Sequence, residues 1–230
     1  DPEYKKDLKA QGIVFPKPLA PTPLEYEMDV DTSNRFFYTL NVLSDDKFEP
    51  HLHYARYRAI EFLKPELRAK YRNAVHVGQT LAGIYRVHMV KRLESSFHAF
   101  KLSLATLLRI TDDMLKMFAE DKVIIAPDLN VKDLQAKGME LDEIIEKALE
   151  KGYNESDILY KSEDFDPDFI AMLQHDKKVL EALNADWEQE HDDQKFDLFR
   201  EKLENEFFDS RNLSGKLVVF SESVDTLNYL

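Results

Sequence analysis

The stretch Gly83-Ile-Tyr-Arg-Val-His-Met-Val-Lys-Arg-Leu-Glu-Ser-Ser-Phe-His-Ala-Phe-Lys-Leu-Ser-Leu104 decides the fold. Leu81, Tyr85, Met89, Leu93, Phe97, Phe100, Leu104 and Leu107 recur at steps of three and four, which keeps them on one side of a 3.6-residue spiral. The spacing predicts one long amphipathic helix from about Val77 to Ile110, buried along that stripe. Lys91, Ser95 and His98 fall roughly opposite the stripe, with Arg86 and Arg92 on its flanks. A helix face of cations and small hydroxyls suits phosphate, and it reads equally as the solvated side of a core helix.

Outward from this helix, the chain divides by charge. Its 230 residues carry a net −13, but residues 1–110 hold 17 Lys and Arg against 13 Asp and Glu, so all of the excess acid lies in residues 111–230. A nucleic-acid surface is therefore expected in the first half, because acidic surfaces repel phosphate. With 43% hydrophobic residues the chain can bury a sizeable core, and six Gly and nine Pro argue for helices rather than a turn-rich sheet fold. There is no cysteine, hence no disulfide framework and no thiolate metal site. No apolar run approaches eighteen residues and no charged-then-apolar leader opens the sequence, so the expectation is a cytoplasmic protein with no membrane partner.

Before the organising helix, residues 1–28 read as a connector. A short charged helix or tail over 1–11 stops at Gly12, prolines 16, 18, 21 and 23 force an extended path, and Leu24-Glu-Tyr-Glu-Met28 alternates like a short half-buried strand. Residues 29–213 read as a helical domain. Asp29, Asp31 and Thr32 offer N-caps to a helix on Phe36, Phe37, Leu40 and Leu43. Tyr54, Tyr57, Ile60 and Leu63 space a second, from which Arg56 and Arg58 project. These two arginines read as solvated side chains or as phosphate contacts. Thr111-Asp-Asp is expected to start a shorter helix, and Lys122–Pro127 a brief extended piece. Further helices are expected on Leu141, Ile144, Ile145 and Leu149, on Phe169–Trp187, and on Asp193–Phe208, the last two pairing as an acidic antiparallel hairpin.

Residues 214–230 change character. Leu217-Val-Val-Phe220 reads as a strand buried on both faces of a parallel sheet, and Ser221–Leu230 as a turn and helix with Val224, Leu227 and Leu230 inward. One such strand leaves its hydrogen-bonding edges open, so it is expected to pair with strands beyond Leu230, or with a second copy in a crystal. The chain opens at Asp1-Pro2 and stops inside this expected helix, which suggests a piece of a longer polypeptide. The fold class expected is mainly α: a helical domain around one long helix, a short N-terminal strand, and a truncated strand-helix unit at the C-terminus.

Four stretches carry a family resemblance: Asp7–Pro16, Tyr54–Leu63, Val90–Phe100 with its Lys91-Arg-Leu-Glu-Ser-Ser96 string, and Gly215–Leu230. Together and in this order they resemble bacterial Swi/Snf-type members of the superfamily-two helicases, ATP-driven nucleic-acid translocases built from two RecA-like lobes. The resemblance implies a segment between the lobes, with residues 214–230 opening the second lobe. It also implies a parent chain that hydrolyses ATP with magnesium and acts on nucleic acid, duplex DNA first, in the bacterial cytoplasm or nucleoid. The other lobes of the same chain would be its immediate partners.

The catalytic parts are not in this stretch. There is no Gly-x-x-x-x-Gly-Lys-Ser/Thr phosphate loop and no Asp-Glu-x-His or Asp-Glu-x-Asp string, so no catalytic residue and no cofactor site is expected here. Phosphate contact is assigned first to Lys91, Arg92, Ser95 and His98, then to Arg86, Arg56 and Arg58. His51-x-His53 is the nearest approach to metal-ligand spacing but lacks the paired helical pattern with a carboxylate. The alternative function is a helical scaffold whose acidic surface docks a basic partner.

Overall fold

The Asp29 carboxylate accepts the N–H groups of Asp31 and Thr32 at 2.9 Å each, starting helix α1 (Val30–Ser44) at the expected cap. Its inward face is Thr32, Thr39, Val42 and Leu43, while Phe37 is exposed and meets Phe36 edge to face at 5.5 Å. The computed structural model describes residues 6, 10–12, 20–71, 74–125, 158–208, 212, 215–221 and 223–230. The expected helix at 1–11, most of the proline-rich connector and the expected helix at 141–149 lie outside these.

The Tyr54–Leu63 segment is a 3-10 helix over Ala55–Phe62, entered through a left-handed Tyr54 with φ 55°. Its apolar residues recur at every third position, the period of a 3-10 helix rather than an α-helix, so the geometry was already in the spacing. A four-residue turn, α2 (Pro65–Arg68), leads to α3 (Ala74–Ser95). The 3-10 helix packs closely on α3 at Gly78, where a Cβ would lie 2.5 Å from Glu61 Oε1.

The organising helix is two helices. Ser96 takes extended backbone angles, φ −163° and ψ 136°, and its hydroxyl accepts the N–H of Ala99 at 3.2 Å, capping a new helix α4 (Phe97–Ala119). Serine competes for backbone hydrogen bonds better at a cap than mid-helix, and Ser95-Ser96 supplies the break. The stripe survives the corner: Met89, Leu93, Phe97, Phe100, Leu104 and Leu107 are all buried, although Leu81 is exposed. Nor does a helix start at Thr111. Its hydroxyl donates back to the Leu107 carbonyl at 2.8 Å, and α4 runs on through Met117 and Phe118.

Strand β1 (Val123–Ile124) pairs antiparallel with β2 (Leu159–Tyr160), Val123 opposite Tyr160, and a bridge joins Leu63 to Phe165. Helix α5 (Pro167–Glu188) then packs along α4, the most extensive helix contact in the molecule. Two apolar clusters flank this α4–α5 spine. One gathers Phe118, Phe165 and Phe169 with β1 and β2, and the other gathers Trp187, Phe97, Phe100 and Leu104 with α1 and α3.

Helix α6 (Gln194–Asn205) has no buried residue and, among the described residues, shares no extended contact with α5, so the expected acidic hairpin is not formed. Its sequence moment had a second taker: Phe196 lies 4.6 Å from the ring of Tyr229 on α7 (Val224–Tyr229).

Both expected terminal strands are coil. Leu24–Met28 keeps Tyr26 and Met28 half-buried but has no ladder partner among the described residues, and residues 217–220 are exposed, Phe220 at 89%. A strand exists only through the neighbour that takes its backbone hydrogen bonds. The protein is thus mainly helical, with one two-stranded sheet among the described residues, and none of those helices is long and apolar enough to cross a membrane.

Candidate functional site

Arg92, Ser95 and His98 sit where α3 turns into α4, and each meets the C-terminal segment. Arg92 Nη1 donates to Asp225 Oδ2 at 2.7 Å and also to the Ser223 hydroxyl. The Ser95 hydroxyl is 3.1 Å from that of Thr226. His98 stacks on Tyr229, ring centres 4.6 Å apart and planes within 6°. Two ladders of three-residue spacing, 92-95-98 and 223-226-229, therefore meet rung by rung in the same order.

That arrangement inverts the expected face of the last helix. Ser223 and Thr226 are buried, whereas Val224, Leu227 and Leu230 are exposed at 69%, 41% and 42%. Ser223 caps α7 by accepting the N–H of Thr226 at 3.2 Å, so the polar residues that start the helix also dock it. The alternation of apolar residues predicted an inward face correctly only for a helix buried by an apolar partner. Here the partner is polar, and hydrogen bonds decide which side turns in.

Helix α6 closes the same corner. Lys195 Nζ donates to the carbonyls of Glu94 and Ser95 at 2.9 and 3.0 Å, satisfying the open C-terminal end of α3 with a cation. Burial and the nearby Asp193 raise the Tyr229 hydroxyl above its ordinary value. Beneath α7 lies a cleft of about 400 Å³ whose walls include Tyr57, Tyr85, Arg92, Ser103, Thr106 and Asp225. Tyr57 and Tyr85 stack at 3.6 Å along it, and burial pushes the Tyr57 hydroxyl up.

Comparison of the chain with protein-family models, with curated proteins and with solved structures gives no match. The site is therefore read from its own geometry.

The remaining assigned cations do not join this corner. Arg56 is directed inward, its Nη1 donating to the Ile110 carbonyl at 2.7 Å, and burial disfavours its charged form. Arg58 spends its guanidinium on Glu61, at 3.1 and 3.0 Å, and lies 5.6 Å over the Phe62 ring. Arg86 pairs with Asp46 at 2.5 Å and reaches over Tyr54. Arg56, Arg58 and Arg86 are thus held by three different partners, the Ile110 carbonyl, Glu61 and Asp46, away from Arg92, Ser95 and His98. Lys91 is exposed on α3.

A second polar cluster contains a residue the sequence did not single out. His175 on α5 joins His51 and His53, with ring centres 4.7 Å from His53 and 6.4 Å from His51, and its Nε2 is 3.0 Å from the His51 carbonyl. Next to it, the buried Asp176 carboxylate accepts the N–H groups of His53 and Ala55 at 2.8 Å each. Burial raises the Asp176 carboxyl to about 6 and, helped by the two neighbouring imidazoles, lowers His53 to about 4. Among the described residues no group of His, Asp or Glu is arranged to hold a metal ion. The cluster pins the loop before the 3-10 helix to α5.

Proposed function

We propose that this chain is the helical segment between the lobes of an ATP-dependent nucleic-acid translocase, and that the α3–α4 corner is the joint by which it holds the unit opening the second lobe. One observation carries the reading. Two of the stretches that carry the helicase resemblance, Lys91–Ser96, the most specific, and Gly215–Leu230, lie far apart in sequence and are held together through Arg92–Asp225 and Ser95–Thr226. A joint of this kind would transmit lobe rotation into the helical body. ATP and magnesium would be bound by the lobes outside this segment, and nucleic acid, duplex DNA first, would be the partner of the whole chain.

The test uses the full-length protein. Arg92→Ala is expected to leave basal ATP hydrolysis within about two-fold while cutting its stimulation by duplex DNA by about ten-fold, equivalent to about 1.4 kcal/mol of coupling. Unchanged stimulation, or a full-length sequence without a phosphate loop and a magnesium-binding acidic string, overturns the reading.

A second reading, a scaffold that docks a basic partner, draws support from α6, which has Glu201 and Glu204 exposed and no buried residue. The flanking sequence separates the two.

A further inference from the structure

We propose that the α3–α4 corner is a nucleic-acid phosphate site with a built-in occupant: α7 fills it through Asp225, and a backbone phosphate and α7 bind there in turn, never together. The proposal deepens the interlobe reading and rests on it.

Asp225 Oδ2 occupies the position a phosphate oxygen would take on Arg92 Nη1, as an anionic acceptor at 2.7 Å. Both acceptors need the same guanidinium edge, so occupancy by one excludes the other. Around that edge the corner offers further donors: the Ser95 hydroxyl, the His98 ring now covered by Tyr229, and Lys195 Nζ held against the end of α3. These are the groups a phosphate would inherit when α7 leaves.

Release of α7 parts the Tyr229 ring from His98 and Phe196 but uncovers no apolar face of the helix itself. Val224, Leu227 and Leu230 already face solvent, as do residues 217–220 leading into it, and six residues are too few to hold a helix without tertiary support. The Asp225 carboxylate is 37% exposed, so an incoming anion can compete for its partner without first breaking the core. Room is present as well. The cleft below α7 has Arg92 and Asp225 on its wall and opens along Ser103 and Thr106.

A resident acid that must be displaced keeps the Arg92 guanidinium from other anions while α7 is in place. The ligand is recognised by its phosphate, and duplex DNA rather than free phosphate is the source favoured, because several phosphates in a row can engage Arg92 and Lys195 together.

The experiment titrates the chain against a fluorescein-labelled short DNA duplex at low salt, by anisotropy, and in parallel follows deuterium exchange of residues 223–229. Asp225→Asn removes the competing charge and is expected to tighten duplex binding by on the order of five-fold or more. Ser223→Ala serves as a second, milder unlatching variant and should move binding in the same direction. Arg92→Ala should abolish the gain when combined with Asp225→Asn. Duplex, and inorganic phosphate only at far higher concentration, should raise exchange at 223–229 in the parent chain. Duplex binding with that exchange unchanged, Asp225→Asn binding no tighter while circular dichroism shows it folded, or inorganic phosphate as effective as duplex, each overturns the proposal. The interlobe reading is judged separately, by whether the full-length sequence carries a phosphate loop and a magnesium-binding acidic string.

Discussion

The α4–α5 spine and the joint at the α3–α4 corner hold their parts together by different physics. Along the spine, Trp187 is fully buried between Phe97 and Phe100, ring centres 5.0 and 5.3 Å away, and its indole N–H donates to Thr39 at 2.9 Å. At the joint, an arginine, a hydroxyl and an imidazole meet a six-residue helix whose apolar side faces water. Burial of area is non-directional, large and nearly indifferent to salt. Directional polar pairs at a half-exposed surface are individually small and exchangeable for another acceptor. A molecule built this way has a body that stays folded while one attachment changes partners.

Three measurements can break or sharpen that contrast. The largest effect is expected for Trp187→Ala, which empties the centre of the spine and leaves the Thr39 hydroxyl without its donor. A loss of about 3 to 5 kcal/mol in denaturant unfolding is expected. A loss under about 1 kcal/mol would mean that the spine is no better packed than the joint.

Next comes the polar cluster beside the spine. Unfolded His53 takes up its proton below the ordinary value of 6.5, but in the folded chain it resists down to about 4, so its contribution to stability is present above 6.5 and is lost as pH falls to about 4. Asp176 works oppositely. Its folded value of about 6 lies above the ordinary 3.8, so its contribution is present below 3.8 and is lost as pH rises through 6. His53→Gln deletes the first contribution, and the variant should gain on the parent chain as pH is lowered from 6.5 to 4. Discounted for partial solvent screening, the gain should be on the order of 1 to 2 kcal/mol. Parallel pH profiles for the two chains would show that His53 does not act on folding.

The smallest effect is expected at the joint. Arg92→Ala should cost at most about 1 kcal/mol of global stability, with the difference shrinking as salt is added. Exchange of residues 223–229 should nonetheless rise sharply, since a short helix without its anchor has no stability of its own. A large, salt-independent loss would place Arg92 in the spine's category and leave no distinction between the two regions.

Much of the body was legible before any coordinates. The Asp29 cap, the buried residues from Met89 to Leu107, the span of α5 and the extended piece at Val123–Ile124 all follow from local spacing and cap chemistry. The candidate site was half legible. Arg92, Ser95 and His98 were among the residues singled out for phosphate, with Lys91 beside them, but their counterparts Ser223, Asp225, Thr226 and Tyr229 were hidden beneath an apolar spacing that drew attention to the other face. The repeated three-residue spacing of the two rows was the available signal. His175 was missed because one histidine in an acidic helix carries no signal until the His51–His53 loop is folded against it.

By itself, the sequence determined which segments become helices and which residues along them must leave water, because propensity, capping and periodicity act within a few residues of the chain. Only the tertiary structure decided that Ser96 turns one helix into two, that the terminal apolar runs find no strand partner among the described residues, and that α7 docks by its polar side. Each of those outcomes depends on a hydrogen-bonding partner supplied from elsewhere in the fold, and residue order alone does not tell which donors and acceptors will meet.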